Sequence, residues 1–245
     1  MNKFKTMETH HPHHVTHKKK WGEYLLEFFM LFLAVFLGFV AENIRENISE
    51  GHREKQFIES MVLDLQEDTI KMNQAIASNT RKFEGIDTLL KTIYATHYTD
   101  SSLKCLYRLN NYLYYRAQLF FTKRTIIQLK NSGGLRLIRN RAASDSIIVY
   151  DENCEKIEKQ FDGLLTHQIG AREIEYKVLD PRCKLEKSAK FTLLNNDYKL
   201  MLEYANWLTT IKVSVKYYVA FIKDQKERAI RVMQFLQKEY HLENK

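Results

Sequence analysis

Residues 24–41, YLLEFFMLFLAVFLGFVA, form one apolar run interrupted only by Glu27. As a helix the run reaches roughly 27 Å, close to the about 30 Å hydrocarbon core of a bilayer. A signal peptide removed after export is the competing reading. Against it, the run exceeds the roughly 7–15 apolar residues of such a peptide, and Phe39-Val40-Ala41 sets a bulky ring where cleavage needs a small residue. The pattern therefore predicts a retained signal-anchor, a single-pass transmembrane helix over 21–43.

Beyond the anchor the pattern turns from continuous to periodic. Ile58, Val62, Leu65, Thr69, Met72, Ile76, Asn79, Phe83, Ile86, Leu90 and Ile93 alternate spacings of four and three, the mark of a long helix with one narrow apolar seam. A second seam of the same kind reads Met201, Tyr204, Leu208, Ile211, Val215, Tyr218, Ile222, Gln225, Ala229, Val232 and Leu236. Two such helices, each about 60 Å long, can pack antiparallel. Each seam holds one polar residue, Asn79 or Gln225, of the kind that sets register and partner number in helix assemblies at some cost in stability.

The stretches between the seams predict shorter helices. Residues 96–102 close the first long helix, and Asp100, Ser101 or Ser102 caps the next, LKCLYRLNNYLYYR. A third piece begins around Thr122 and stops at Gly133 and Gly134, where a left-handed residue closes the last turn. Asn140 or Ser144 starts a fourth helix reaching about Lys177, Pro181 marks a loop, and Asn195 or Asn196 caps the last helix. The charged stretch AENIRENISEGHREKQ continues the membrane helix, with Gly51 the natural place for a bend or break. The fold expected is all-α: one N-terminal transmembrane helix followed by an elongated antiparallel helical bundle with two long helices. Residues 1–20 form a disordered tail rich in His and Lys, 21–43 the anchor and 44–245 the extracytoplasmic bundle, with 44–51 a helical linker.

Composition agrees with this pattern, since only two prolines and eight glycines punctuate 245 residues. Charge adds an orientation. Residues 1–20 carry Lys3, Lys5, Lys18, Lys19 and Lys20 against Glu8, whereas 42–56 carry Arg45, Arg53 and Lys55 against Glu42, Glu46, Glu50 and Glu54. The lysine-rich side stays in the cytoplasm, so the expected location is the inner membrane, with the large C-terminal domain in the periplasm. The net charge of +8 invites a nucleic-acid partner, but part of it is the tail itself and the far side of the membrane holds little nucleic acid. Cys105, Cys154 and Cys183 allow one disulfide with a leftover thiol; scattered cysteines more commonly pack as small hydrophobes.

Among candidate functional groups Glu27 stands first, because an ionisable residue inside a membrane segment is costly and usually paired or functional. On a helical wheel Glu27, Leu31, Ala34, Gly38 and Ala41 share one stripe, and Ala34 with Gly38 has the small-x-x-x-small spacing that lets two helix backbones approach. The plainer alternative is that Glu27 snorkels to the headgroups or pairs with Lys19 or Lys20. Arg136, Arg139 and Arg141 beside Asn131-Ser132-Gly133-Gly134 are a possible anion site. His10, His11, His13, His14 and His17 can chelate a transition metal without any fold, or form a plain polar extension. Lys212, Lys216, Lys223 and Lys226 share a helix face, and Tyr107, Tyr112, Tyr114, Tyr115, Phe120 and Phe121 can line a pocket or simply pack. No GxSxG, HExxH or Walker loop occurs, which argues against an enzyme and gives no reason to expect a cofactor.

The junction EYLLEFFMLFLAVFLGFVAENIRENISEGHREKQFIESMVLDLQEDT, preceded by HHPHH, resembles a recurrent Bacteroidota family of single-pass, membrane-anchored helical proteins of unknown function. The stretch RTIIQLKNSGGLRLIRN is similar to that family's second recurring segment. The resemblance implies membrane anchoring and a helical domain, and brings no activity, cofactor or catalytic residue with it. The expected function is a membrane-anchored, non-catalytic interaction or scaffold protein whose partners are the lipid bilayer and either a second copy or another membrane protein. The alternatives are a sensor-like ligand-binding bundle and a stator-like subunit of an ion-driven complex using Glu27.

Overall fold

In a computed structural model that describes residues 20–95, 97–185 and 190–242, the chain is all-α. Its helices are α1 (Trp21–Ile93), α2 (Asp100–Asn110), α3 (Arg124–Asn131), α4 (Arg141–Val178), α5 (Arg182–Leu185) and α6 (Tyr198–Glu239). An isolated bridge, Leu179 to Leu193, is the only β pairing among the described residues. The chain divides into two compact units, Met1–Gly51 and His52–Lys245.

No break occurs at Gly51, and α1 is a single helix of 73 residues. One glycine in a helix interior costs only about 1 kcal/mol. Helix-forming neighbours on both sides offset that cost, so no break follows.

Within the second unit two long helices run in one direction and the third against them. Gln225 donates from Nε2 to the Tyr150 carbonyl at 2.9 Å, His167 Nδ1 meets Ser214 Oγ at 3.1 Å, and the Phe161 and Tyr218 rings lie 5.6 Å apart. These contacts run α4 and α6 antiparallel along their lengths, the closest helix pairing of the unit. Tyr150 donates to Asp68 and Tyr240 to Glu54, so α1 is parallel to α4 and antiparallel to α6. The α6 seam is buried at every position expected from its spacing. On α1 the buried face is wider than the expected seam: Thr69, Ile76 and Phe83 are half-buried, while Asp64, Asp68, Ala75, Lys82 and Gly85 are buried.

The cause is the chain between α1 and α4. A second helix through Arg116 was expected; α2 instead ends at Asn110, a 3-10 turn follows over Asn111–Leu113, and residues 115–123 belong to no helix. There Ala117, Leu119 and Phe121 are buried while Arg116 and Phe120 are exposed, the alternation of an extended segment. Such a segment leaves its backbone groups without helical partners, and in a core each must be bonded. Side chains of the neighbouring helices do this. Lys82 Nζ donates to the Tyr115 carbonyl at 3.1 Å and Asn79 Nδ2 to the Ala117 carbonyl at 2.8 Å. The Leu119 N–H donates to Tyr218 Oη at 3.1 Å, and that of Thr122 to Asp68 Oδ1 at 2.7 Å. Further on, Asp64 Oδ2 accepts from the Thr125 N–H at 3.0 Å and Glu54 Oε1 from the Arg139 N–H at 2.8 Å. The partners step down α1 as the chain advances, so this return segment occupies the place of the second helix in an up-down-up-down bundle. Asn79 therefore holds the backbone of its own chain, which is a different task from setting partner number.

Caps follow the same logic of satisfied donors. Thr99 caps α2 in a reciprocal box with Ser102, one residue before the expected positions, and Asn140 caps α4 as expected. Asp197 caps α6 through the N–H groups of Lys199 and Leu200, while Asn195 accepts from the Asp197 N–H, so the expected cap supports the actual one. Gly133, at φ 68°, follows α3 in the left-handed geometry its position requires. The cysteines are unbridged, and Cys154 and Cys183 are buried.

Gly85 is needed for a different reason, a close approach. A Cβ there would lie 2.3 Å from two carbons of the Tyr112 ring. Alanine is the better helix former by roughly 1 kcal/mol, yet its methyl group would have to push the Tyr112 ring aside. Gly85→Ala is expected to destabilise the unit by about 1–3 kcal/mol, measured by thermal melting of the full chain in detergent. An unchanged or raised midpoint would show that the ring moves aside at no cost.

Candidate functional site

The first candidate is the apolar face of α1 in the N-terminal unit. Glu27, Leu31, Ala34, Gly38 and Ala41 are exposed, as are the aromatic residues along the same stretch. Phe29, Phe32 and Phe36 stack along the helix, with centroids 6.4 and 6.1 Å apart. A Cβ at Gly38 would meet nothing within 4 Å. The helix is long and apolar enough to cross a membrane, and no part of its most apolar 18-residue window is buried in the chain. The five tail histidines lie outside the described residues.

The second candidate is the group of three arginines after Gly133. Arg141 reaches Asp145 at 3.8 Å, and the backbone donor of Arg139 is taken by the Glu54 carboxylate. At the start of α4 the Asn140 side chain takes the Ala143 N–H at 3.1 Å. Those two backbone donors are therefore already satisfied.

A row of charged and polar groups on α1 went unnoticed in the seam, because charged residues are ordinarily discounted from a buried face. Asp64 Oδ1 accepts from Arg124 Nε at 3.0 Å and Nη2 at 2.7 Å, while its other oxygen takes the Thr125 N–H. That carboxylate sits at the N-terminus of α3, which has no side-chain cap of its own. It supplies both a missing acceptor and a charge favourable to the helix dipole. Asp68, one turn on, holds Thr122 and the Tyr150 hydroxyl; burial pushes its carboxyl up, and these hydrogen bonds oppose the shift in part. Lys82 has no exposed surface, and burial pushes its amine down to about 8. On the opposite flank, hydrogen bonds from Lys212 and Lys91 hold the Asp87 carboxyl down to about 2. Lys212 thus has a partner, whereas Lys216 and Lys223 border a separate shallow groove with Phe83.

The aromatic group is divided by the fold. Tyr107 is buried, its hydroxyl donating to the Thr192 carbonyl at 2.7 Å and accepting from the Asp180 N–H at 2.7 Å. Tyr114 donates to the buried Glu175 carboxylate, with the Lys184 ammonium 4.7 Å from its ring centre. Tyr112 and Tyr115 instead line an open groove with Arg81 and Arg108. Tyr112 and Tyr115 thus wall this groove, whereas Tyr107 and Tyr114 serve buried polar networks. Among the described residues no group of three or more His, Cys, Asp or Glu side chains is arranged to hold a metal ion. The chain matches no family model, no curated protein and no solved structure, so function has to be argued from these groups.

Proposed function

We propose that this protein is a membrane-anchored, non-catalytic interaction protein: α1 crosses the inner membrane near its N-terminus, and the helical unit from His52 onward meets partners in the periplasm. The observation that carries the reading is the 18-residue apolar window of α1, wholly uncovered by the rest of the chain. Contiguous apolar surface on that scale is rare on a soluble protein. In lipid each such side chain is favourable by about 0.3–0.6 kcal/mol, and the sum over the run outweighs one carboxylate, which costs at most about 3 kcal/mol at mid-membrane. Glu27 lies close to one end of the run and costs less. The lysines before Trp21 support a cytoplasmic N-terminus. Anchors associate on the face of Glu27, Leu31, Ala34, Gly38 and Ala41, where small residues allow backbones to approach. Membership of the Bacteroidota single-pass family belongs to the same proposal.

The test combines extraction with topology. The protein is expected to stay in the membrane pellet through an alkaline carbonate wash. Protease added to spheroplasts is expected to digest the large unit and to spare an epitope tag at residue 1. Release by carbonate would refute the anchor, and protection of the large unit would refute the orientation.

A further inference from the structure

Arg81 of α1 and Arg108 of α2 converge on a groove of about 550 Å³, whose walls include Ser78, Asn111 and the rings of Tyr112 and Tyr115. That volume is within the range of small-molecule sites, roughly 300–1,000 Å³. Several cations elsewhere in the unit are matched: Arg124 with Asp64, Lys123 with Glu158, Lys130 with Asp151, Lys184 with Glu175. Arg81 and Arg108 make only loose contacts, Nη2 to Ser78 Oγ at 3.4 Å and Nη2 to Cys105 Sγ at 4.0 Å, and no carboxylate among the described residues pairs with either. Arg116 borders an adjoining hollow that shares Ser78 and Tyr115. The buried Lys82 ammonium donates to the carbonyl of Tyr115, a residue of the groove wall, and among the described residues no carboxylate pairs with it. Positive charge is thus gathered from α1, α2 and the return segment around two aromatic rings.

We propose that this groove binds a small aromatic anion, a phosphate or carboxylate on a planar apolar body. Two guanidinium groups offer forked donors matched to the oxygens of such an anion. The tyrosine rings offer flat apolar contact, and Ser78 and Asn111 add groups that both donate and accept. The site does not depend on the membrane reading, since it lies wholly within the helical unit.

The test is isothermal titration of the full chain in a non-ionic detergent at one salt concentration, using phenyl phosphate and benzoate, with inorganic phosphate, acetate and phenol as comparisons. At least one aromatic anion is expected to bind saturably and at least about tenfold tighter than phenol or its non-aromatic counterpart. Arg81→Gln and Arg108→Gln, both at exposed positions, are each expected to weaken it by about tenfold or more with helicity unchanged. Lys156→Gln, at an exposed position outside the groove, is expected to leave binding intact, and Gly85→Ala, which displaces the Tyr112 ring, to weaken it independently of charge. Absence of saturable binding by both aromatic anions, equal binding of inorganic phosphate, or full affinity in both arginine variants would overturn the proposal.

Discussion

Replacing Lys82 with methionine is expected to stabilise the helical unit at neutral pH by about 2 kcal/mol. The charge has no exposed surface and one hydrogen bond, and burial brings its pKa from the ordinary 10.5 to about 8. That difference corresponds to roughly 3 kcal/mol of disfavoured protonation in the folded state, from which about 1 kcal/mol is subtracted for the hydrogen bond that methionine cannot make. The sign with pH follows from the same displacement. Between about 8 and 10.5 the unfolded chain holds a proton that the folded chain has released, so stability rises with pH across that window. Below about 8 both forms are protonated and the whole penalty is present. The difference in stability between Lys82→Met and the natural chain should therefore be largest near pH 7 and shrink as pH climbs toward 10.5, measured by chemical denaturation in detergent. A destabilised variant, or a difference independent of pH, would show that the amine is paired or hydrated.

Removing the Asp64 carboxylate is expected to have the opposite and larger effect. Asp64→Ala takes the acceptor from the buried Thr125 N–H and the partner from Arg124, and leaves α3 with no cap. Breaking a fully buried ion pair by truncation costs about 3–5 kcal/mol. Because the Arg124 side chain is 65% exposed, the lower end applies and about 3 kcal/mol is expected. For a unit of this size each kcal/mol lowers the melting midpoint by roughly 2–4 °C, a fall of about 6–12 °C in all. Asp64→Asn keeps an oxygen for Thr125 and should lose about half as much. Equal melting of the natural chain and Asp64→Ala would mean that water replaces the carboxylate at no cost, and α3 would then have to be capped in another way.

Legibility varied with how far a residue's task depends on its own helix. The α6 seam was readable throughout because its positions face a core on one side and are apolar apart from Gln225. The same reading of α1 was too narrow, since that helix also faces a segment that is not a helix. Charged residues there are buried in order to bond a backbone that a pattern of apolar residues does not reveal. The alternation of Ala117, Leu119 and Phe121 was the available signal for that segment, but it is short and directly follows a helical run. The groove was half visible: Tyr112 and Tyr115 were noticed as aromatics, while Arg81 and Arg108 lie on different helices and meet only after the chain reverses.

By itself the sequence determined the helical class, the apolar run of α1, the α6 seam and local signals such as the Asn140 cap and the Gly133 stop, because each depends on residues within a turn or two of one another. Only the tertiary structure decided that α1 stays helical through Gly51, that Glu54, Asp64, Asp68, Asn79 and Lys82 bond a return segment, and that two arginines share one cavity. These depend on which backbone groups lack a local partner, and that deficit exists only once the long helices have packed around the segment between them.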